Sequence, residues 1–361
     1  MHRLLTRIMN LTALAGLAAI LAGMAPAADK PAFTVGWSIY VGWNPYHYMD
    51  KSGILKRWAD KYGVSIKVQR FDYAPSLEAF VAKSIDACAM TNMEALDMPA
   101  ASGVDTTAVI LGDYSNGNDA VLVRNGLTFD KLAGKRVLLV QKTVSEYLFE
   151  RGMTMNGAKD QIRRVKLVNT SDSDIAPAFL NNQDEQAVVT WKPLVSQIRK
   201  GKGISTIFTS AQIPGEILDL LVVRSDVLRR PGGQNFAKAV TGAWYEVMGQ
   251  LAGTGPAHEK ALRGTADASE DTVDSIKEQI STTHLFYTPQ SAVQFLASSE
   301  LKQKMELVRQ FCFAHGLLGE GTRAADDVAI LYPDGAVQGN KERVRFRFDP
   351  AYTQLAAQGK L

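Results

Sequence analysis

The hydrophobic positions of the chain follow two spacings in turn, and this succession predicts strands that alternate with helices. Val64, Ile66 and Val68 alternate with polar residues, as in a half-buried strand. Apolar residues in 48–62 recur instead at helical intervals. The same succession predicts a first series of strands near 33–39, 64–68, 86–90, 107–111 and 120–123, and a second near 136–140, 165–168, 187–189 and 204–208. Such alternation is typical of an α/β fold with mostly parallel sheets.

Polar segments follow most of these strands. Because ligands of parallel sheets gather at the carboxyl ends of the strands, the segments predict the rim of a binding site. They are 40–46, 72–76, 91–94, 113–119, 141–146 and 190–191.

The octet GDYSNGND at 112–119 lies between two apolar runs. Its residue types dominate turns for backbone reasons alone, so a solvated turn is one interpretation. A polar loop held by a rigid sheet is also the usual setting of a binding site. We expect Asp113 to accept hydrogen bonds from a ligand, and Asp119 mainly to organise a crossover between two lobes.

An internal echo indicates how the two series are joined. DAVLVR at 119–124 reappears as DLLVVR at 219–224. We interpret the copies as adjacent strands that connect two lobes, with lobe 2 (121–223) inserted into lobe 1 (28–120 plus 224–361). Chance similarity between buried strands is the alternative, since valine and leucine runs are common there. After Arg224 the pattern is helical, in runs at 236–251, 271–280 and 291–313.

The N-terminus has the order of a secretory signal peptide. Arg3 and Arg7 precede an apolar segment at 11–24, and small residues follow up to Ala27. The apolar segment is shorter than the roughly 18 residues expected of a spanning helix. We therefore expect residues 1–27 to be cleaved near Ala27 and the protein to be periplasmic. A retained signal that anchors the chain is the alternative.

Composition excludes some classes of function. The formal net charge is +3, and loss of Arg3 and Arg7 lowers it to +1 because no acidic residue precedes Asp29. A nearly neutral chain offers no electrostatic basis for binding nucleic acid or an anionic membrane. Cys88 and Cys312 lie in apolar patterns, so we expect buried free thiols, with a single disulfide as the alternative.

The sequence contains no nucleophile elbow, phosphate-binding loop or dinucleotide-binding glycine turn. Its five histidines are scattered, so we expect no metal site, no cofactor and no catalytic residue. The predicted rim is instead acidic and aromatic. It carries Asp72, Glu94, Asp113, Asp119, Glu146 and Glu216 against Lys142 and Lys192, together with Tyr40, Trp43, Tyr46, Tyr114 and Trp191.

This rim favours a small cation. An anion would need arginine, lysine or unopposed helix N-termini. A desolvated cation gains about 0.5–2 kcal/mol from each aromatic face, and a carboxylate can accept paired N–H donors from a flat cation. Core packing is the ordinary role of an aromatic side chain, and we assign it to Trp58, Phe80 and Trp244. Glu146, just inside a helix, is assigned mainly to the helix dipole.

Four motifs resemble those of a known family: TNMEALD at 91–97, GDYSNGND, TWKP at 190–193 and IPGEILDLLVV at 213–223. With the export signal, they resemble the periplasmic substrate-binding proteins of ABC transporters related to the nitrate, sulfonate and taurine binders. The narrower match is to the subgroup that accompanies the urea carboxylase-type enzymes, or guanidine carboxylases. The resemblance implies a type II periplasmic-binding fold, whose two lobes close on a small solute and deliver it to a permease powered by an ATPase. Related proteins often carry Asn where TWKP has Lys192, whose side chain we expect to point away from a bound cation.

The subgroup implies guanidinium as the ligand, or urea. Guanidinium offers only donors, whereas neutral urea would leave buried carboxylates uncompensated, so we rank guanidinium first. We expect Trp43 and Trp191 to sandwich the ligand, Glu94 and Asp113 to accept its hydrogen bonds, and Glu216 or Asp119 to assist. Further expected contacts are Tyr40, Tyr46, Thr91, Asn92, Tyr114, Ser115, Asn118 and Ser145.

Other interpretations stay open. The prediction is a monomeric solute receptor, not an enzyme, with an ABC permease and its ATPase as partners. Another small nitrogenous or sulfonated solute is an alternative ligand. A periplasmic enzyme of the same fold and a ligand-sensing partner of a membrane receptor are alternatives of other classes.

Overall fold

The structure, a computed structural model, describes residues 29–361. The expected signal peptide, 1–27, lies outside the described residues. From Ala32 to Leu361 the chain forms one compact unit. Within the described residues, none of the helices combines the length and the hydropathy that crossing a membrane requires.

Strands occur along most of the described chain, and they form two sheets. They are β1 (Ala32–Trp37), β2 (Ser65–Arg70), β3 (Ala87–Thr91), β4 (Thr106–Ser115), β5 (Ala120–Arg124), β6 (Arg136–Leu139), β7 (Lys166–Asn169), β8 (Ala187–Thr190), β9 (Ile204–Thr209), β10 (Leu218–Arg224), β11 (Thr283–Leu285), β12 (Ala329–Leu331), β13 (Val337–Gln338) and β14 (Val344–Phe348).

Helices connect most of the strands. They are α1 (Asn44–Lys51), α2 (Ile54–Lys61), α3 (Tyr73–Val81), α4 (Asn92–Ala95), α5 (Val144–Met155), α6 (Asp172–Asn181), α7 (Leu194–Ile198), α8 (Ser225–Arg229), α9 (Gly233–Ala252), α10 (Pro256–Asp267), α11 (Val273–Ile280), α12 (Pro289–Leu296), α13 (Ser299–Ala314) and α14 (Ala351–Ala357). A π-helical turn, Leu96–Ala100, continues α4.

The larger sheet has nine strands in the order β13-β12-β14-β4-β10-β3-β1-β2, with β11 also paired to β4. Strand β1 runs parallel to β2 and β3, and β14 runs parallel to β4. Strand β10 is antiparallel to both of its neighbours, β3 and β4. The parallel strands β1, β2 and β3 therefore end at one edge, where the predicted rim segments follow them.

The smaller sheet has five strands in the order β7-β6-β8-β5-β9. Strand β6 is parallel to β7 and β8, whereas β5 is antiparallel to β8 and β9. The chain enters this sheet between Ser115 and Ala120 and leaves it between Thr209 and Leu218. We call the part built on the nine-stranded sheet the large lobe and residues 120–209 the small lobe. The α/β class with two sheets is as predicted, and the domain boundaries stay predictions.

The echoed segments are not adjacent strands, contrary to our expectation. Strand β5 lies in the small lobe and β10 in the large lobe. Each is antiparallel, flanked on both sides and fully buried, which accounts for the shared apolar run. The terminal arginines also act alike: Arg124 donates to the carbonyls of Phe179 and Glu185, and Arg224 donates to the carbonyl of Ile85. The echo therefore marks one structural position repeated in two sheets.

Three other predictions were wrong in part. The chain after Arg224 is less helical than predicted, since β11 to β14 form there by pairing with β4 and with one another. The run 291–313 is divided between α12 and α13, and Ser298 caps α13 by accepting from the Leu301 backbone N–H at 3.3 Å. The first half of the octet is strand rather than loop, because β10 and β11 hold β4 as far as Ser115.

The two cysteines match the prediction. Cys88 in β3 and Cys312 in α13 are both buried and free. Burial raises the pKa of the Cys88 thiol to about 12, so it stays protonated and unreactive at neutral pH.

Candidate functional site

A small cavity lies between the lobes at the carboxyl ends of the parallel strands. Tyr40 follows β1, Tyr73 follows β2, Thr91 ends β3, Val144 follows β6 and Trp191 follows β8. The lining also includes Trp43, Asp119, Ile217 and Asp219. The cavity volume is about 20 Å³. A single water needs roughly 10–15 Å³, so the cavity excludes all but the smallest solutes.

Four aromatic rings form a chain around this space. The ring centroids of Tyr40 and Trp43 lie 5.2 Å apart, as do those of Trp43 and Tyr73, and Tyr73 lies 5.9 Å from Trp191. The first three belong to the large lobe and Trp191 to the small lobe. No residue of the lining has more than 6% of its surface exposed. A bound ligand would therefore lose its water and face aromatic walls.

Three carboxylates lie at the cavity or directly behind its wall. Asp119 and Asp219 line it, and Asp113 faces Asp219 on the neighbouring strand β4. Tyr40 donates its hydroxyl to Asp113 Oδ1 at 3.1 Å, and Ser115 donates to Asp119 Oδ2. Within residues 29–361, the Oδ2 atoms of Asp113 and Asp219 are buried without a hydrogen-bond partner. These two oxygens lack a donor unless the facing carboxylates share a proton, and a hydrogen bond between Asp113 and Asp219 contributes to the pKa values of both.

The carboxylates carry perturbed pKa values. Burial raises the pKa of Asp113 to about 7, and the charge of Asp119 adds to the rise. Burial likewise raises the pKa of Asp119 to about 7. Burial and then the charge of Asp113 raise the pKa of Asp219 well above its ordinary value. A cation would stabilise the ionised forms, because it supplies the opposite charge that the lining residues lack.

Gly42 provides the space for Asp113. A Cβ atom at position 42 would lie 2.2 Å from Asp113 Oδ2 and 2.7 Å from the Tyr40 ring. Any side chain there would displace the carboxylate or the ring. The glycine between Val41 and Trp43 is thus required by a close approach to the site.

Glu94 occupies the N-terminus of α5. Its side chain is fully buried and accepts from the Val144 backbone N–H at 2.9 Å and from the Thr91 hydroxyl. Burial raises its pKa, and these hydrogen bonds oppose the rise. Helix N-termini favour anions, and here the protein's own carboxylate takes that position. The bond also joins α4 of the large lobe to α5 of the small lobe.

Further contacts hold the lobes together around the cavity. The Trp191 indole N–H donates to the Ile39 carbonyl at 3.3 Å. The Tyr73 backbone N–H donates to Asp172 at 3.2 Å. The buried Lys192 ammonium binds Glu278 in α11, so it does not line the cavity. This placement confirms that Lys192 points away from the site.

The structure brings several predicted site residues together. Tyr40, Trp43, Thr91, Asp119 and Trp191 line the cavity, and Asp113 and Glu94 contact lining residues. Sequence reasoning missed Tyr73, Val144, Ile217 and, as a site residue, Asp219. The echo contained a signal for Asp219, since it corresponds there to Asp119.

Other predicted residues do not line the cavity, and the structure gives each of them a different environment. Glu216 binds Arg151 at 2.8 Å and accepts from Tyr147 at 2.6 Å, so its charge is already compensated. Tyr46 packs on Trp244, Asn92 bonds the backbone of Glu216 and Leu218, and Tyr114 stacks on His284. Ser115 bonds Asp119 and Ser210, Asn118 bonds Thr282 and Thr283, and the buried Ser145 hydroxyl finds no partner among the described residues. Asp119 lines the cavity and also accepts from Ser115, which lies at the crossover between the lobes.

Comparison with known proteins identifies the fold. No family model and no curated protein matches the sequence. Among solved structures, the alkanesulfonate-binding protein SsuA from Xanthomonas axonopodis pv. citri, bound to MOPS, is 16% identical with a TM-score of 0.64, over 81% of this chain and 96% of that one. The periplasmic aliphatic sulphonate-binding protein SsuA from Escherichia coli is 16% identical with a TM-score of 0.62, over 81% and 94%.

The periplasmic nitrate-binding protein NrtA from Synechocystis PCC 6803 is similar over a longer part of the chain. It is 12% identical with a TM-score of 0.55, over 94% of this chain and 100% of that one. These likenesses show that the chain has the two-lobe periplasmic-binding fold that the sequence motifs implied.

Proposed function

We propose that this protein is the periplasmic solute receptor of an ABC importer and that it binds guanidinium between its lobes. One observation carries the choice of ligand. Buried carboxylates and four aromatic rings surround a space for a few heavy atoms, and among the described residues none that lines it is basic. Guanidinium is small, flat and positively charged, and all its polar groups are donors.

Charge balance supports a cation. Asp113 and Asp219 face each other across β4 and β10, each with an unpartnered oxygen. Two buried carboxylates repel each other unless a proton or a cation lies nearby. Hydrogen bonds to charged groups contribute about 1.5–3 kcal/mol, and an aromatic face adds about 0.5–2 kcal/mol for a desolvated cation. A guanidinium group, as in arginine, stays ionised at neutral pH.

Urea is the first alternative. It has nearly the size and shape of guanidinium, so the cavity does not discriminate by volume. Urea is neutral, however, and would leave the carboxylates to retain protons. We therefore expect urea to bind more weakly, and most weakly at alkaline pH.

A sulfonate or nitrate is the second alternative, because similar structures carry those names. The charged groups around the cavity disfavour binding of such an anion. Glu94 already accepts from the first N–H of α5, the lining offers no lysine or arginine, and ionised Asp119 and Asp219 would repel an anion in the cavity. Like charges brought together cost several kcal/mol.

The role as a transport receptor rests on the fold and the export signal. A closed cavity between two lobes suits a protein that captures a solute and releases it to a permease. Delivery to an ABC permease and its ATPase belongs to this proposal. A same-fold enzyme would convert the ligand, so recovery of unchanged ligand after incubation with the protein would argue for the receptor.

Calorimetry tests the proposal most directly. The mature, tag-free protein is titrated at pH 8 with guanidinium, urea, nitrate and taurine in the same buffer. We expect guanidinium to bind most tightly with one site per chain. Tighter binding of nitrate or taurine would overturn the cationic site, and tighter binding of urea would replace guanidinium as the ligand.

A further inference from the structure

A second cluster of ligating side chains lies away from the cavity, where the lobes meet. Glu146 and Glu150 are one helical turn apart on α5 of the small lobe. His315 follows α13 of the large lobe. One ligand atom from each of the three lies within 4.8 Å of the others. Within residues 29–361, this is the one group with such spacing.

The geometry of His315 resembles that of a metal ligand. Its Nδ1 lies 2.9 Å from the Phe311 carbonyl oxygen, which can only accept a hydrogen bond. Nδ1 therefore carries a proton, and Nε2 lies 2.7 Å from Glu150 Oε1, where the two groups form an ion pair if the ring is protonated. A lone pair facing a carboxylate requires a proton or a metal ion between them. Metal-binding histidines characteristically donate their other ring N–H to a carbonyl or carboxylate in this way.

The ligand set and spacing suit zinc. Zinc accepts histidine nitrogen at about 2.0–2.1 Å and carboxylate oxygen at about 2.0–2.2 Å, usually in a tetrahedron. Ligand atoms at those distances are separated by about 3.3–3.5 Å. Nε2 and Oε1 would move apart by less than about 1 Å, within reach of side-chain rotation. Water would complete the tetrahedron.

We propose that Glu146, Glu150 and His315 form an interlobe site for a divalent transition metal such as Zn²⁺. The site is complete only when the lobes are closed, because its ligands come from both. A metal bound there stabilises the closed form and so favours ligand retention in the cavity. By linkage, the ligand strengthens metal binding by the same factor.

The primary experiment uses metal and protein alone, so it does not depend on the identity of the solute. Tag-free protein at pH 7.5 is titrated with Zn²⁺ against a chromophoric chelator, and stoichiometry is read by native mass spectrometry. We expect one Zn²⁺ per chain with micromolar affinity. Ca²⁺ and Mg²⁺, which prefer all-oxygen sites, should not compete.

Three variants locate the site. His315→Asn and Glu150→Gln should each weaken Zn²⁺ binding by about tenfold or more. His258→Asn is the matched control, because the His258 Nδ1 also faces a backbone carbonyl, that of Gln250, but belongs to no such cluster. It should leave binding unchanged. Melting curves without metal verify that each variant folds.

Two results would overturn the proposal. One is the lack of stoichiometric Zn²⁺ binding by the wild-type protein. The other is Zn²⁺ binding that His315→Asn and Glu150→Gln retain at full strength. The bridging role has its own test: Zn²⁺ should lower the Kd of the cavity ligand, and binding without any such coupling would refute a site that depends on lobe closure.

Discussion

Asp219→Asn separates a ligand-binding carboxylate from a structural one. Asp219 lines the cavity, is 3% exposed and has one oxygen without a partner among the described residues. Asparagine keeps the size of the side chain and removes its charge. For a structural carboxylate, the substitution should weaken the fold. For a carboxylate positioned to bind a cation, the substitution should weaken ligand binding and stabilise the ligand-free protein.

The structure gives the direction and size of both effects. Loss of a charge-assisted hydrogen bond worth about 1.5–3 kcal/mol should weaken guanidinium binding roughly tenfold to 150-fold. The neighbouring Asp113, whose pKa rises from 3.8 to about 7, shows the cost of burying charge here. At 1.36 kcal/mol per pKa unit, that cost is on the order of 4 kcal/mol at pH 8. Removing one of the two facing carboxylates should therefore raise the Tm of the ligand-free protein.

The assay combines calorimetry with guanidinium and thermal melting, both at pH 8. Asp160→Asn, at an exposed position on a 3₁₀ turn, is the control for loss of one negative charge. It should change neither affinity nor Tm appreciably. Guanidinium affinity within twofold of wild type in Asp219→Asn would remove this residue from the site. A fall in the Tm of the ligand-free variant would show that Asp219 stabilises the fold and would refute the charge argument.

Three further predictions follow from the same geometry. Burial raises the pKa of Asp113 and Asp119 to about 7, so both become protonated as the pH falls below 7. Guanidinium binding should therefore weaken about tenfold from pH 8 to pH 6 for each proton that ligand binding displaces, and a Kd that calorimetry finds independent of pH would contradict this. The ligand-free protein should lose stability as the pH rises from about 4 to 7. Gly42→Ala should abolish measurable guanidinium binding, because the new Cβ would displace Asp113. The control Gly249→Ala in α9, with nothing within 4 Å of its new Cβ, should leave the affinity unchanged. Equal affinities of the two variants in calorimetry would refute the requirement for a close approach between Gly42 and Asp113. Glu94→Ala should weaken guanidinium binding about fivefold to 150-fold, because the Val144 N–H loses an acceptor worth about 1–3 kcal/mol. Glu94→Gln keeps an acceptor and should retain most of the affinity. A similar loss of affinity in both variants would instead implicate the charge of Glu94.

Much of the site follows from strand order alone. In a parallel sheet, a residue just after a strand lies at the ligand edge, which is why Tyr40, Thr91 and Trp191 could be predicted. The alternation of apolar and polar residues that located these strands is a local pattern. The strands form where the pattern predicts them because their apolar faces pack in the core. The same rule applies to Tyr73, but its segment contains too many turn residues to single out one ring.

The remaining site residues depend on pairings that no local pattern encodes. Asp219 comes to the cavity because β10 is antiparallel between β3 and β4, beside Asp113. The internal echo included Asp219, but we interpreted the two copies as adjacent connecting strands and so did not expect Asp219 at the cavity. Glu216 does not line the cavity, because it is paired with Arg151. This partner lies 65 residues earlier in the chain, so no local pattern could show that the charge of Glu216 is compensated.

The N-terminus of α5 already binds an anion, the carboxylate of Glu94. A helix N-terminus between two lobes is suited to an anionic ligand, and a fold that presents one can bind anions with little further specialisation. Here Glu94 supplies the anion from within the large lobe and bonds across to Val144. This helix N-terminus therefore binds a carboxylate of the protein itself, across the contact between the lobes. The adjacent space is bordered by aromatic rings, Asp119 and Asp219, and it gains negative charge as these two carboxyl groups lose their protons. On the proposed function, a cationic ligand would need no different fold, only a carboxylate at this helix N-terminus and others that face the cavity.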